Sequence, residues 1–205
     1  MSSTSSRSFH KNSPRRTAFV GGFGMIELMV TVSIMMVISS VIMLKQTSFN
    51  GTTLLRSQVY DVALSIRELQ LSVVSAESNG SDNFRSVQGA YFSTNNSTTY
   101  RIYKDADNDK YYDSTEEYGK QGTLDNRFEI RAIRVGGTSA SQVAIVFVRP
   151  NFDAKFYTDS SGTPSSASNV EIDIGRKGMT TAVCGTDFRT VEITRTGQIA
   201  IKDCP

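Results

Sequence analysis

Histidine, cysteine and proline are scarce in this 205-residue chain, with one, two and four copies, and each scarcity removes a class of explanation. The lone histidine is His10, so no residue after position 22 can bring an imidazole to a Ser-His or Cys-His nucleophile or to histidine-bound zinc. An acid-rich loop has the carboxylates of a glycosidase pair, yet nothing in the sequence sets an acid beside an apolar pocket. Gly136-Gly137 is too short for a phosphate loop and reads as a strand-ending turn. No enzyme is expected. None of the prolines falls within residues 23–78, so a long helix there need not break. Charge is missing too: from residue 23 to residue 44 the only ionisable side chain is Glu27.

That apolar run spans about 22 residues, or roughly 33 Å as a helix, enough to cross a bilayer core. A carboxylate at the centre of such a helix costs about 2.5–3.5 kcal/mol, and ionisable groups in membrane helices usually face protein partners and mark function. The run is too long for a secretory h-region, and the nearest small-residue site behind it, Ser39-Ser40, is a poor cleavage signal. A plain signal anchor with an incidental Glu, and a twin-arginine leader at Arg15-Arg16, are the bland alternatives. Arg7, Lys11, Arg15 and Arg16 all precede the run and stop short of Gly21-Gly22, which predicts a cytoplasmic amino terminus and an exported remainder.

The stretch Gly22-Phe23-Gly24-Met25-Ile26-Glu27-Leu28-Met29-Val30, opening an apolar helix behind a short basic leader, resembles the type IV prepilins and type II secretion pseudopilins. Gly24 and Met25 depart from the usual residues of that motif, while Ile26 to Val30 follow it. The resemblance implies that a prepilin peptidase removes a leader of residues 1–22, cutting between Gly22 and Phe23, and methylates the new amino terminus at Phe23. Glu27 then becomes the fifth mature residue. An amine and an acid one helical turn apart would both sit in lipid unless the carboxylate of one subunit meets the amine of its neighbour, so Glu27 is assigned to assembly. The positive end of the helix dipole also favours an acid there.

Removing 22 residues takes away four of the 22 Lys and Arg and no acid, so 18 bases face 20 acids and the formal balance becomes −2. Residues 23–78 read as one long helix: 23–44 form the membrane or filament core, and 52–78 are amphipathic. Leu55, Val59, Val62, Ala63, Ile66, Leu69, Val73 and Ala76 recur at spacings of mostly three and four, with a bend or local melting expected at Asn50-Gly51. Turn-forming residues 78–83 end it. Residues 84–205 form a β-rich globular domain with strands expected at 86–92, 99–104, 127–135, 142–149, 154–157, 170–174, 189–194 and 198–202, the last two joined by a hairpin at Arg195-Thr196-Gly197. Residues 159–169 read as a loop. The order is α+β, a long helix packed on an antiparallel sheet, and resembles the pilin-like architecture. Asp61 to Gln70 and Val191 to Ile199 resemble the helix end and final hairpin of FimT/GspH-type minor pseudopilins.

The resemblance implies a structural subunit held first in membrane lipid of the cytoplasmic (inner) membrane, a single pass with its β domain outside. It would then be taken by an inner-membrane assembly platform into a helical filament of other pilins or pseudopilins, either a secretion pseudopilus or a type IV pilus. The alternative is a DNA-uptake minor pilin binding duplex through Arg176, Lys177, Arg189, Arg195 and Lys202, although interleaved Asp173, Asp187, Glu192 and Asp203 fit an ordinary solvated surface equally.

No organic cofactor is implied. Asp105, Asp107, Asp109, Asp113 and Glu116 occupy positions 1, 3, 5, 9 and 12 of a calcium-type loop, with the Tyr111 carbonyl at position 7. Lys110 stands where that loop turns on glycine, so a solvated acidic turn is the other reading. Some pseudopilins order a loop with calcium, which would make the ion structural. Cys184 and Cys204 flank the last hairpin; an exported pair suggests a disulfide closing about 20 residues, worth roughly 3 kcal/mol, with two free thiols as the alternative.

Overall fold

A computed structural model describes residue 22 and residues 24–75, 87–116, 121–148 and 152–202, without the side chains of 45–49. The chain forms two compact units, Met1–Lys45 and Gln46–Pro205. Expectations for the leader residues 1–21, for Phe23, for the helix tail 76–78 and for Cys204 lie outside the described residues.

The helix, α1, runs Met25–Val74. It continues through Asn50 and Gly51 as the nearly continuous helix expected, without the local melting that the pair suggested. Gly51 does have a packing reason to lack a side chain, since a Cβ there would stand 2.6 Å from Nη2 of Arg176. In the second unit, Leu55, Val59, Val62, Ile66, Leu69 and Val73 are all at most 3% exposed. Their spacing puts them on one stripe, and burying each stabilises the fold by about 1.5–3 kcal/mol.

Ten strands follow: β1 Gln88–Ser93, β2 Thr99–Lys104, β3 Gly122–Thr123, β4 Phe128–Val135, β5 Thr138–Ala140, β6 Gln142–Val148, β7 Asp153–Tyr157, β8 Asn169–Arg176, β9 Phe188–Thr194 and β10 Ile199–Lys202. The fold is α+β, but the strands form two antiparallel sheets rather than one, ordered β3-β2-β1-β6-β7 and β10-β9-β8-β4-β5. β3 and β5 are additions to the expected set, and Gly136-Gly137 forms the turn between β4 and β5 with φ of +59° and +81°. The inner faces of both sheets and the apolar stripe of α1 share one core: Phe92, Val143, Ile145 and Phe156 from the first sheet, Ile133, Ile172, Ile174 and Ile193 from the second. Strand alternation explains the outer faces. On the first sheet the outward set is aromatic, with Tyr91, Tyr103 and Tyr157 packed around Ala144 and Val146.

The outer face of the second sheet is ionic. Arg134 makes a bidentate pair with Asp173 at 2.6 and 2.8 Å and a third bond to Glu171 at 2.8 Å. Thr190 donates to Asp173, and Lys202 bridges Glu171 and Glu192. Asp173 is buried, so losing the guanidinium leaves a carboxylate under-satisfied; Arg134→Ala is expected to cost about 2 kcal/mol, read as a lower midpoint in chemical unfolding. Lys202 first and then Arg134 hold Glu171 below the usual glutamate range. Its folded pKa is depressed, so its contribution is complete above the unfolded value and is lost as pH falls through the folded one; unfolding midpoints should drop with acidification there, less so in Glu171→Gln.

Candidate functional site: a lone carboxylate on an apolar helix, and an acidic loop

The helix segment Met25–Leu44 has a mean hydropathy of 2.2 over 20 residues, none of it buried, and is the one described helix long and apolar enough to cross a membrane. Its polar side chains differ in what they need. Thr31, Ser33 and Ser40 donate to the carbonyls of Leu28, Met29 and Met36 at 2.8–3.0 Å, so their hydroxyls are satisfied within the helix. The Glu27 carboxylate differs: it is a charge that lipid penalises, and it takes no part in these hydroxyl-to-carbonyl bonds. Glu27 sits in the first turn, its own N–H and that of Leu28 both donating to the Gly24 carbonyl at 3.0 and 3.1 Å. The position favours an anion through the helix dipole. Gly22 is exposed, next to the expected cut.

The loop 105–116 brings together only part of its expected donor set. One carboxylate oxygen from each of Asp105, Asp107 and Asp109 lies within 4.8 Å of the others. Asp113 and Glu116 do not join them. Asp113 accepts from the backbone N–H and hydroxyl of Thr115 at 2.7 and 2.5 Å, and Glu116 folds back to accept from the Ala106 N–H at 2.6 Å. Each clustered aspartate is likewise engaged with nearby backbone: Asp105 with Asn108 at 2.6 Å, Asp107 with Asp109 at 3.1 Å, Asp109 with Tyr111 at 2.7 Å. Burial pushes the Glu116 carboxyl above its ordinary range. The Tyr103 phenol, raised by burial and by Asp105, stays protonated and donates to the Lys110 carbonyl at 2.9 Å. Tyr111 meets the Tyr91 ring edge-on and Tyr112 packs on it at a tilt, so the loop roofs the aromatic outer face of the first sheet.

Lys110 explains much of this. It adopts φ of +69°, the left-handed conformation for which a calcium loop keeps glycine at that position. Its ammonium stands 3.5 Å from Asp105 and bonds the Asn108 carbonyl at 2.8 Å. A cation is thus already built into the cluster. We expect Lys110→Gly to bind calcium at least about tenfold tighter than the parent in calorimetry, since it removes both the like charge and the strained backbone. Equal or tighter binding by the parent contradicts this role for Lys110.

The remaining sites divide. Cys184 is disulfide-bonded, and no cysteine among the described residues is free. The five basic residues of the DNA reading do not share a face. Arg176, Lys177 and Arg189 gather where β8 ends and β9 begins, Arg195 lies past the opposite end of β9, and Lys202 is engaged by Glu171 and Glu192. Neither a family model, nor a curated protein, nor a solved structure matches the chain.

Proposed function

We propose that this chain is a pilin-like structural subunit, a minor pseudopilin that a prepilin peptidase trims and an inner-membrane platform assembles into a type II secretion pseudopilus or type IV pilus. One observation carries the reading: Glu27 is the only charge on a 20-residue apolar helix that the protein's own fold leaves entirely uncovered. Apolar surface of that extent needs lipid or protein around it, and a lone acid at its tip needs a positive partner. A neighbour's amine at Phe23 supplies both register and charge.

In this account the peptide bond after Gly22 is cut, Phe23 is N-methylated, and Met25–Leu44 waits in the cytoplasmic membrane with the β domain outside. Assembly exchanges lipid contacts for contacts between helices, and Glu27 sets the axial step. The protein is not an enzyme in this reading; its work is packing. Co-expression with a prepilin peptidase tests it. A mass loss corresponding to residues 1–22 is expected, and Gly22→Leu should block it; a chain that stays full length beside an active peptidase overturns the proposal.

A further inference from the structure

The end of the second sheet where β8 gives way to β9 is basic and apolar at once. Arg176, Lys177 and Arg189 meet there. Arg131 reaches in from β4, spending its guanidinium on the Arg176 and Met179 carbonyls at 3.3 and 2.8 Å. The acids nearby are fewer than the bases. Asp187 is buried and accepts from the Val183 N–H at 3.0 Å, Glu129 accepts from the Gly178 N–H at 3.2 Å, and Asp125 is paired with Arg127 at 2.8 Å. The closest anion to Arg176 is Asp187, 3.9 Å from its Nε. That is an ion pair but too long for a hydrogen bond; Nε and Nη2 of Arg176 and Nε of Arg189 are buried with no hydrogen-bond partner among the described residues, while Lys177 is exposed and the Arg176 and Arg189 side chains are only partly buried. Positive charge is left over.

Beside these bases, two aliphatic side chains point outward. Met179 is 39% exposed and Val183 is 63% exposed. The turn that presents Val183 is well fixed: Asp187 donates its N–H to the Val183 carbonyl, Gly185 donates to Phe188, both at 2.8 Å, and Cys184 is held by a disulfide. The exposure is therefore imposed by structure. Basic side chains flanking exposed aliphatics are what an anionic lipid surface rewards, with headgroup phosphates meeting the charges and the interfacial layer taking the apolar tips.

Chain length supplies the partner. Gly51, the residue against which Arg176 packs, follows Leu44 by seven positions. Seven residues reach at most about 25 Å even fully extended. Gly51, and with it the Arg176 guanidinium beside it, is thus tethered close to the last residue of the span.

We propose that the end of the second sheet formed by Arg176, Lys177 and Arg189, with Met179 and Val183 beside them, rests on the anionic phospholipid headgroups of the bilayer that Met25–Leu44 crosses. This rests on the membrane reading given above. The contact orients the β domain on the membrane before assembly and must be released when the subunit is extracted. Duplex nucleic acid also offers phosphates, but it neither rewards the two aliphatic tips nor is tethered to the chain.

Hydrogen exchange on the full chain in lipid nanodiscs tests it. In discs containing phosphatidylglycerol, amides of residues 177–187 should exchange at least about threefold more slowly than in phosphatidylcholine discs, with the difference lost in about 0.5 M salt. It should also shrink in Lys177→Glu and in Val183→Ser, both exposed positions where the fold has little at stake. Equal rates in the two lipids, with Met25–Leu44 amides protected in both, overturn the contact alone. Rapid exchange within Met25–Leu44 overturns the membrane reading and this contact together. Slowing by a short DNA duplex in phosphatidylcholine discs, without any lipid effect, assigns the patch to nucleic acid and overturns the proposal.

Discussion

Glu27→Ala subunits should insert into membranes at least as well as the parent and fail to enter filaments. The two outcomes move in opposite directions because they depend on opposite properties of one carboxylate. Removing a charge from Met25–Leu44 makes insertion easier, by up to about 2.5–3.5 kcal/mol if the group were at the helix centre and less near the end where it lies. In the proposed filament, assembly would lose the one acid on that segment able to answer a neighbour's amine. A coupling of about 2.7 kcal/mol corresponds to a hundredfold change in an equilibrium, so sheared-filament yield should fall by about two orders of magnitude in Glu27→Ala. Glu27→Asp, which keeps the charge on a shorter stem, should fall in between. Immunoblots of membrane and filament fractions read both quantities. Parent-like filament yield from Glu27→Ala would remove the reason for keeping an acid in the segment.

Gly197→Ala should lower the stability of the β domain by about 4 kcal/mol, well beyond the cost of backbone strain alone. Gly197 sits in the turn between β9 and β10 with φ of +79°, and a Cβ there would fall 1.8 Å from the Phe152 carbonyl oxygen and 2.6 Å from Nε2 of Gln70. Those atoms join three parts of the fold. Gln70, fully buried on α1, donates to the carbonyls of Phe152 and Gly197 at 3.2 and 2.9 Å and accepts from Arg67 at 2.7 Å. The Ala154 N–H at the start of β7 donates to the Arg195 carbonyl at 2.9 Å, which ties the first sheet to the last hairpin. The methyl would wedge helix, hairpin and β7 apart. Gly137→Ala is the control: its φ of +81° is similar, but nothing lies within 4 Å of the new atom, so about 1 kcal/mol of strain is expected. Thermal unfolding should show a drop of about 10 °C for Gly197→Ala and about 3 °C for Gly137→Ala. Equal drops would mean that strain, not collision, governs both sites.

Local patterns in the sequence announced the elements, and long-range pairing decided everything they could not. The stripe from Leu55 to Val73 was legible because helical spacing alone selects those residues. The strands were legible because segments such as β4, β8 and β9 are rich in β-branched and aromatic residues, a local property of the chain. The division into two sheets was not, since it depends on β1 pairing with β6 while β4 pairs with β8, and no local signal encodes a partner so distant in the chain. Asn50-Gly51 suggested local melting within the expected long helix, and the helix runs through it unmelted. The pair has turn composition, yet the fold uses the missing Cβ to seat Arg176.

Among candidate site residues, Glu27 stood out because it breaks an apolar run, which is a one-dimensional signal. The acidic loop gave the correct spacing for ligands but not their directions. Glu116 turns back to the Ala106 N–H at the start of the loop, and the charge of Lys110 falls inside the cluster. Met179 and Val183 went unremarked, because an isolated apolar residue in a loop has no pattern until its neighbours in space are known. Arg131 and Arg176 were separated by 45 positions and meet only through the pairing of β4 with β8.

The central claim is that the apolar helix begins at a processed, charged terminus beside Glu27. Mass spectrometry of the amino-terminal peptide, taken from subunits recovered in the filament or membrane fraction of cells with an active prepilin peptidase, tests it most directly. The account predicts a peptide starting with N-methylated Phe23. An unmodified start, a start at any other residue, or an intact residue 1 in that fraction contradicts it.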